Sequence, residues 1–179
     1  ILVLFAAAGL AEEPRIAPNS GRLIAAGVLT LFGFAVANWP LYDTTPERAL
    51  TYANMANMLA EGRRDDDALR FYKAALTLAP NSPVTHKDAA RVLLQTGRRD
   101  AALAELNKAL ALQPDYVEAH VELGNAYIQL NRTDEAIASY RRALALDEAR
   151  PEIHNALGIA LGMAGRVGEA IPEFERALA

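Results

Sequence analysis

His86, His120 and His154 recur at a fixed interval of 34 residues, and imidazole is both a common metal ligand and a proton carrier near neutral pH. Two imidazole nitrogens bound to one zinc ion at about 2.0 to 2.1 Å must lie within roughly 4 Å of each other. Equivalent positions in neighbouring helical units are separated by at least one packing distance, roughly 8 to 10 Å. Tyr52 holds the corresponding position one interval earlier, so the slot asks for a flat, medium-large side chain and the histidines read as packing residues.

Three consecutive acids, Asp65, Asp66 and Asp67, invite a cation. Adjacent side chains at a helix start point in different directions, however, and carboxylates there are favoured by the positive end of the helix dipole, so capping is the better reading. The sequence holds no glycine-rich phosphate loop, no Ser/His/Asp set and no paired-carboxylate motif, and it calls for no cofactor and no metal. Zero cysteines excludes disulfides and thiolate chemistry, and a net charge of -4 gives no basic stripe for nucleic acid.

The chain that must position these residues has two parts. Hydrophobic residues make up 52% of the 179 positions, with 22% charged, and the apolar excess is concentrated before Asp43. Residues 23–42 carry no charge and match the roughly 30 Å of a bilayer core at about 1.5 Å per residue, which predicts a transmembrane helix with Trp39 and Tyr42 at its interface. A buried helix is the alternative there. Residues 1–11 resemble the truncated end of an earlier span, with the core of a signal peptide cleaved after Ala11 as the alternative, and 12–22 form a short loop. Arg15 and Arg22 outnumber Arg48, which places the loop in the cytoplasm and everything after Tyr42 on the periplasmic or lumenal side.

After Asp43 the pattern is periodic. Segments starting at Ala68, Ala102, Ala136 and Ala170 resemble one another at a step of 34, and the preceding stretches keep the same step through Ala56, Ala90, Gly124 and Gly158. A fixed step means one two-helix unit used four times. Small residues let helices approach closely, while Tyr72, Leu106, Tyr140 and Phe174 fill the space between units. Thr45 and Pro46 start the first helix. Gly97, Gly165 and Asn131 end first helices, Asp100 and Asp134 cap second helices, and Pro80 and Pro114 stop them. Gly62 lies 35 rather than 34 before Gly97, which predicts a longer first turn, and Pro172 is expected to weaken the start of the last helix.

This pattern, clearest in LGNAYIQLNRTDEAIASYRRALALD from Leu123 to Asp147, resembles the tetratricopeptide repeat (TPR) family over residues 46–179. The resemblance implies an all-α superhelical solenoid of antiparallel helix pairs, with units at about 46–82, 83–116, 117–150 and 151–179. With the apolar part, the expected architecture is that solenoid preceded by one complete and one truncated transmembrane helix. It further implies a concave groove that binds a protein or peptide, with Asn57, Lys87, Arg91, Asn125, Gln129 and Asn155 as lining candidates. Lys87 and Arg91, one helical turn apart, resemble part of the carboxylate clamp of some TPR proteins, but Glu118 and Glu122 stand where that clamp carries basic residues. An unused, solvated groove is the plainer alternative.

The expected function is a membrane-tethered TPR scaffold, held in the lipid bilayer through residues 23–42 and engaging protein partners in its groove. The alternative is the non-catalytic C-terminal TPR tail of a multi-spanning membrane glycosyltransferase using lipid-linked sugars, whose catalytic residues would lie upstream of Ile1. Whether the full protein is an enzyme therefore stays open at this point.

Overall fold

In the computed structural model residues 45–178 are described, and they form eight α-helices. They are α1 (Thr45–Glu61), α2 (Asp65–Leu78), α3 (Pro83–Gln95), α4 (Arg99–Leu112), α5 (Val117–Gln129), α6 (Thr133–Leu146), α7 (Pro151–Met163) and α8 (Val167–Leu178). The two apolar stretches 1–11 and 23–42, the loop 12–22 and the link before Thr45 lie outside the described residues. Among the described residues no helix is long and apolar enough to cross a membrane.

Each odd-numbered helix packs against the next to make a hairpin, and each hairpin packs on the following one through α2–α3, α4–α5 and α6–α7. First helices also touch across units, α1 with α3 and α3 with α5. The small residues explain why the helices fit. Ala56, Ala68, Ala90, Ala102 and Ala136 have no exposed surface. At Gly124 a Cβ would stand 2.4 Å from the Tyr140 ring, and at Gly158 2.7 Å from the Phe174 ring, so both positions exclude any side chain. The apolar residues that these contacts bury form three successive clusters along the stack rather than one central core.

All four hairpin turns are equally long, spanning 62–64, 96–98, 130–132 and 164–166. The longer first turn expected from the offset of Gly62 does not occur. Arg63 takes the left-handed backbone conformation instead, at φ 58°, in register with Gly97 (75°), Asn131 (58°) and Gly165 (73°). The register of the turn is therefore kept at the cost of placing a β-carbon where glycine sits more easily.

The expected aspartate caps are also corrected. The cap positions of α2, α4 and α6 are Arg64, Arg98 and Arg132, none of which makes a side-chain capping bond, and the acids lie inside the first turn. There they pair with the cap arginines: Asp67 accepts from Arg64 at 2.7 Å and Glu135 from Arg132 at 2.8 Å. Asp66 accepts from Arg98 of the next unit at 2.6 Å. Carboxylates in the first turn still meet the helix dipole, so the electrostatic part of the expectation holds. Pro172 does not interrupt α8, which runs on to Leu178.

Candidate functional site

The first helices α3, α5 and α7 lie side by side and enclose a cleft of about 550 Å³. Arg91, Leu94 and Gln95 come from α3, Glu122, Asn125, Ile128 and Gln129 from α5, Ala156 and Ile159 from α7, and Tyr140 reaches in from α6. Leu94, Ile128, Ala156 and Ile159 make an apolar floor, and the polar groups stand around it.

Two asparagines of this face are oriented by the fold. The Tyr140 hydroxyl donates to Asn125 Oδ1 at 2.7 Å, and the Tyr72 hydroxyl donates to Asn57 Oδ1 in the same way in the first unit. With their carbonyl oxygens engaged, the two side chains keep their amide N–H groups for other acceptors. Asn125 Nδ2 donates weakly to Glu122 Oε2 at 3.4 Å. Burial, aided by the charge of Asp88, pushes the Tyr72 hydroxyl up to about 12. Burial, aided by Glu122, does the same to Tyr140, also to about 12. Both hydroxyls therefore remain donors through neutral pH.

The two cations differ. Lys87 Nζ is 2.6 Å from Asp88 Oδ1 in a largely buried pair. Burial alone would lower the Lys87 ammonium, but the hydrogen bond and charge of Asp88 outweigh it and hold it above its ordinary value. Arg91 lies beside the Tyr72 hydroxyl and, among the described residues, forms no ion pair. Of the six lining candidates, Arg91, Asn125 and Gln129 meet in the cleft. Asn155 lines a separate hollow of about 380 Å³ with Phe174 and Leu178, and neither Asn57 nor Lys87 borders the cleft. Tyr140, Ile128 and Ile159 were not anticipated as lining residues, and Glu122 was expected only as a departure from the carboxylate clamp. The 34-residue step from Asn125 to Ile159 and from Arg91 to Asn125 was the available signal for Ile159.

A larger hollow, about 760 Å³, lies between α2 and α4. Its polar groups largely satisfy one another: Glu105 accepts from Lys108 at 2.8 Å and meets His86 at 2.6 Å, while Arg98 is held by Asp66. The smaller cleft leaves Arg91 and Glu122 without ionic partners and is the better candidate for a ligand.

The histidines are buried or half-buried, as a packing role requires, but they are also bonded in a way that shape did not foretell. His86 Nε2 is 2.9 Å from the Pro80 carbonyl oxygen, and His154 Nε2 is 3.1 Å from that of Glu148, while His154 Nδ1 meets Glu173 at 2.7 Å. His120 Nε2 makes the matching contact to Pro114 at 2.9 Å. Each ring thus fastens a first helix to the loop before it. Tyr52, the fourth member, stacks edge-on against Phe71 with centroids 6.0 Å apart.

Four stacked helical hairpins with left-handed residues at one register and small residues at the crossings define an α-solenoid. The model described as TPR repeat matches residues 90–130 and 124–165, and that described as tetratricopeptide repeat matches 51–83. The chain therefore carries tetratricopeptide repeats, and residues 45–178 form a TPR solenoid. Among solved structures it is similar to MamA at 21% identity and a TM-score of 0.69, over 82% of this chain and 81% of that one. It is similar to YrrB, a TPR protein with an unusual peptide-binding site, at 27% identity and a TM-score of 0.64, over 73% and 68%. The first TPR of Spaghetti (RPAP3), bound to the HSP90 peptide SRMEEVD, aligns at 24% identity and a TM-score of 0.65, over 66% and 94%. Comparison with curated proteins finds no match.

Proposed function

We propose that this chain is a membrane-tethered TPR scaffold that binds a segment of a partner protein in the cleft of α3, α5 and α7. The observation that carries the reading is the cleft itself: an apolar floor edged by one oriented amide donor, one cation and one carboxylate free of ion pairs. Such a set serves binding, since it lacks a nucleophile paired with a base. The solved TPR structures that resemble it include one bound to a peptide and one with a peptide-binding site, which supports a peptide as the class of ligand.

The tether is supported by the uncharged stretch 23–42, and a position of the repeats outside the cytoplasm by the two arginines of the preceding loop. The glycosyltransferase-tail reading draws no support from the matched family models or from the structures above, and rests on the order of apolar stretches and repeats alone. Alkaline washing of membranes that carry the 179-residue chain should leave it in the pellet, and release into the supernatant contradicts the tether. Pull-down with the same chain should recover a partner that is lost on Arg91→Glu. Recovery unchanged by that substitution removes the cleft from the account.

A further inference from the structure

Resting on the cleft reading above, the geometry points to a ligand of fixed polarity: an internal segment of a partner protein that sets an acidic side chain on Arg91 and a large apolar one on Leu94, Ile128 and Ile159.

One position recurs in all four units at the 34-residue step. It is Asn57 in the first unit, Arg91 in the second, Asn125 in the third and Ile159 in the fourth. In units one and three the second helix supplies a tyrosine hydroxyl that ties the asparagine down. In units two and four it supplies Leu106 and Phe174, which have no hydroxyl, and the repeated position holds Arg91, which lies beside the Tyr72 hydroxyl of the preceding unit, and the apolar Ile159. Ile159 is 50% exposed and Met163 on the same helix 54%, whereas Ile153, Leu157 and Leu161 are buried. Arg91, among the described residues, forms no ion pair, its neighbours being the Tyr72 hydroxyl and, one helical turn away, the Asp88 that Lys87 already holds. The cleft is therefore cationic at the α3 edge and apolar at the α7 edge.

Glu122 stands on α5, between these two, and forms no ion pair among the described residues. It repels a ligand carboxylate from the middle of the cleft and so confines it to Arg91, which fixes the direction in which the segment lies. Gripping a chain-terminal carboxylate as well would call for a second free cation, and Lys87 is already committed to Asp88. The segment is thus internal. From α3 to α7 is two packing steps, roughly 16 to 20 Å, or about five residues of extended chain.

The test is selection of a displayed random-peptide library against the 179-residue chain in detergent. The affinities of selected peptides are then measured for the wild type, Arg91→Glu and Ile159→Glu, with circular dichroism to confirm that the variants fold. Arg91→Gln and Ile159→Asn are milder substitutes, since asparagine already occurs at the equivalent position 125. Expected are peptides with Asp or Glu about five residues from Leu, Ile or Phe. Arg91→Glu should weaken them about tenfold, and replacing the peptide's acid with Lys should restore the affinity. Ile159→Glu should weaken them comparably, without rescue by that swap, and amidating the peptide C-terminus should change affinity less than about twofold. Peptides that respond to both variants but lack the acidic and apolar pair would overturn the polarity and leave the cleft standing, as would binding abolished by amidation. Peptides indifferent to both variants, or no selected peptides at all, would overturn the cleft reading and this inference with it.

Discussion

The Tyr140 hydroxyl donates to Asn125 Oδ1 across 2.7 Å, joining the second helix of the third hairpin to the cleft-facing side of its first helix. The same bond joins Tyr72 to Asn57 two units earlier. One buried group thereby sets both the packing of the hairpin and the direction of a cleft amide. Tyr140→Phe keeps the ring against Gly124 and removes the bond alone. It should cost about 1 kcal/mol in chemical unfolding and weaken any cleft peptide, because Asn125 is free to turn. Unchanged stability would show that the bond contributes nothing net.

Arg63 and Gly97 occupy the same left-handed position of successive turns. Arg63→Gly should raise stability, by up to about 1 kcal/mol, since glycine adopts this backbone without a β-carbon clash. Gly97→Ala has open space around its new methyl and should still lose about 1 kcal/mol through backbone strain. Thermal melts of the two variants shifting in the same direction would contradict the assigned turn.

Alkaline pH should unfold the solenoid before it affects most proteins of its composition. Tyr72 and Tyr140 titrate near 12 when folded and near the ordinary 10 when unfolded, because burial disfavours tyrosinate. A raised folded value means that the unfolded chain loses its protons first. The stability is fully present below pH 10 and falls as pH rises towards 12, by roughly 2 to 3 kcal/mol per tyrosine. Unfolding followed by tyrosinate absorbance should show this loss reduced in Tyr140→Phe, with Tyr72 and the likewise raised Tyr116 supplying the rest. A flat dependence across that window contradicts the buried hydroxyls.

Much of the fold could be read from the sequence because one step of 34 governs both helix crossings and turns. Ala56, Ala90, Gly124 and Gly158 gave the crossings, and Gly97, Asn131 and Gly165 the left-handed positions. Arg63 was missed because Gly62 beside it carries the usual signal, whereas the conformation is imposed by the register of the hairpin. The aspartates looked like caps because the residue type fits, but the cap lies just after the left-handed residue and is arginine in α2, α4 and α6. In the cleft, Arg91, Asn125 and Gln129 are among the positions to which the TPR resemblance pointed. The ion pair of Lys87 with its chain neighbour Asp88 did not, since adjacent helical side chains normally diverge. Nor did the exposure of Ile159.

The central claim is that a partner protein occupies the cleft of α3, α5 and α7, and site-specific photo-crosslinking tests it most directly. A photoreactive residue is placed in the 179-residue chain in native membranes, either at exposed Gln129 in the cleft or at exposed Thr77 beside the α2–α4 hollow. The account predicts a discrete crosslinked partner from position 129, lost when Arg91→Glu is added, and none from position 77. A partner captured at position 77 alone, or equally from both positions and indifferent to Arg91→Glu, would contradict it.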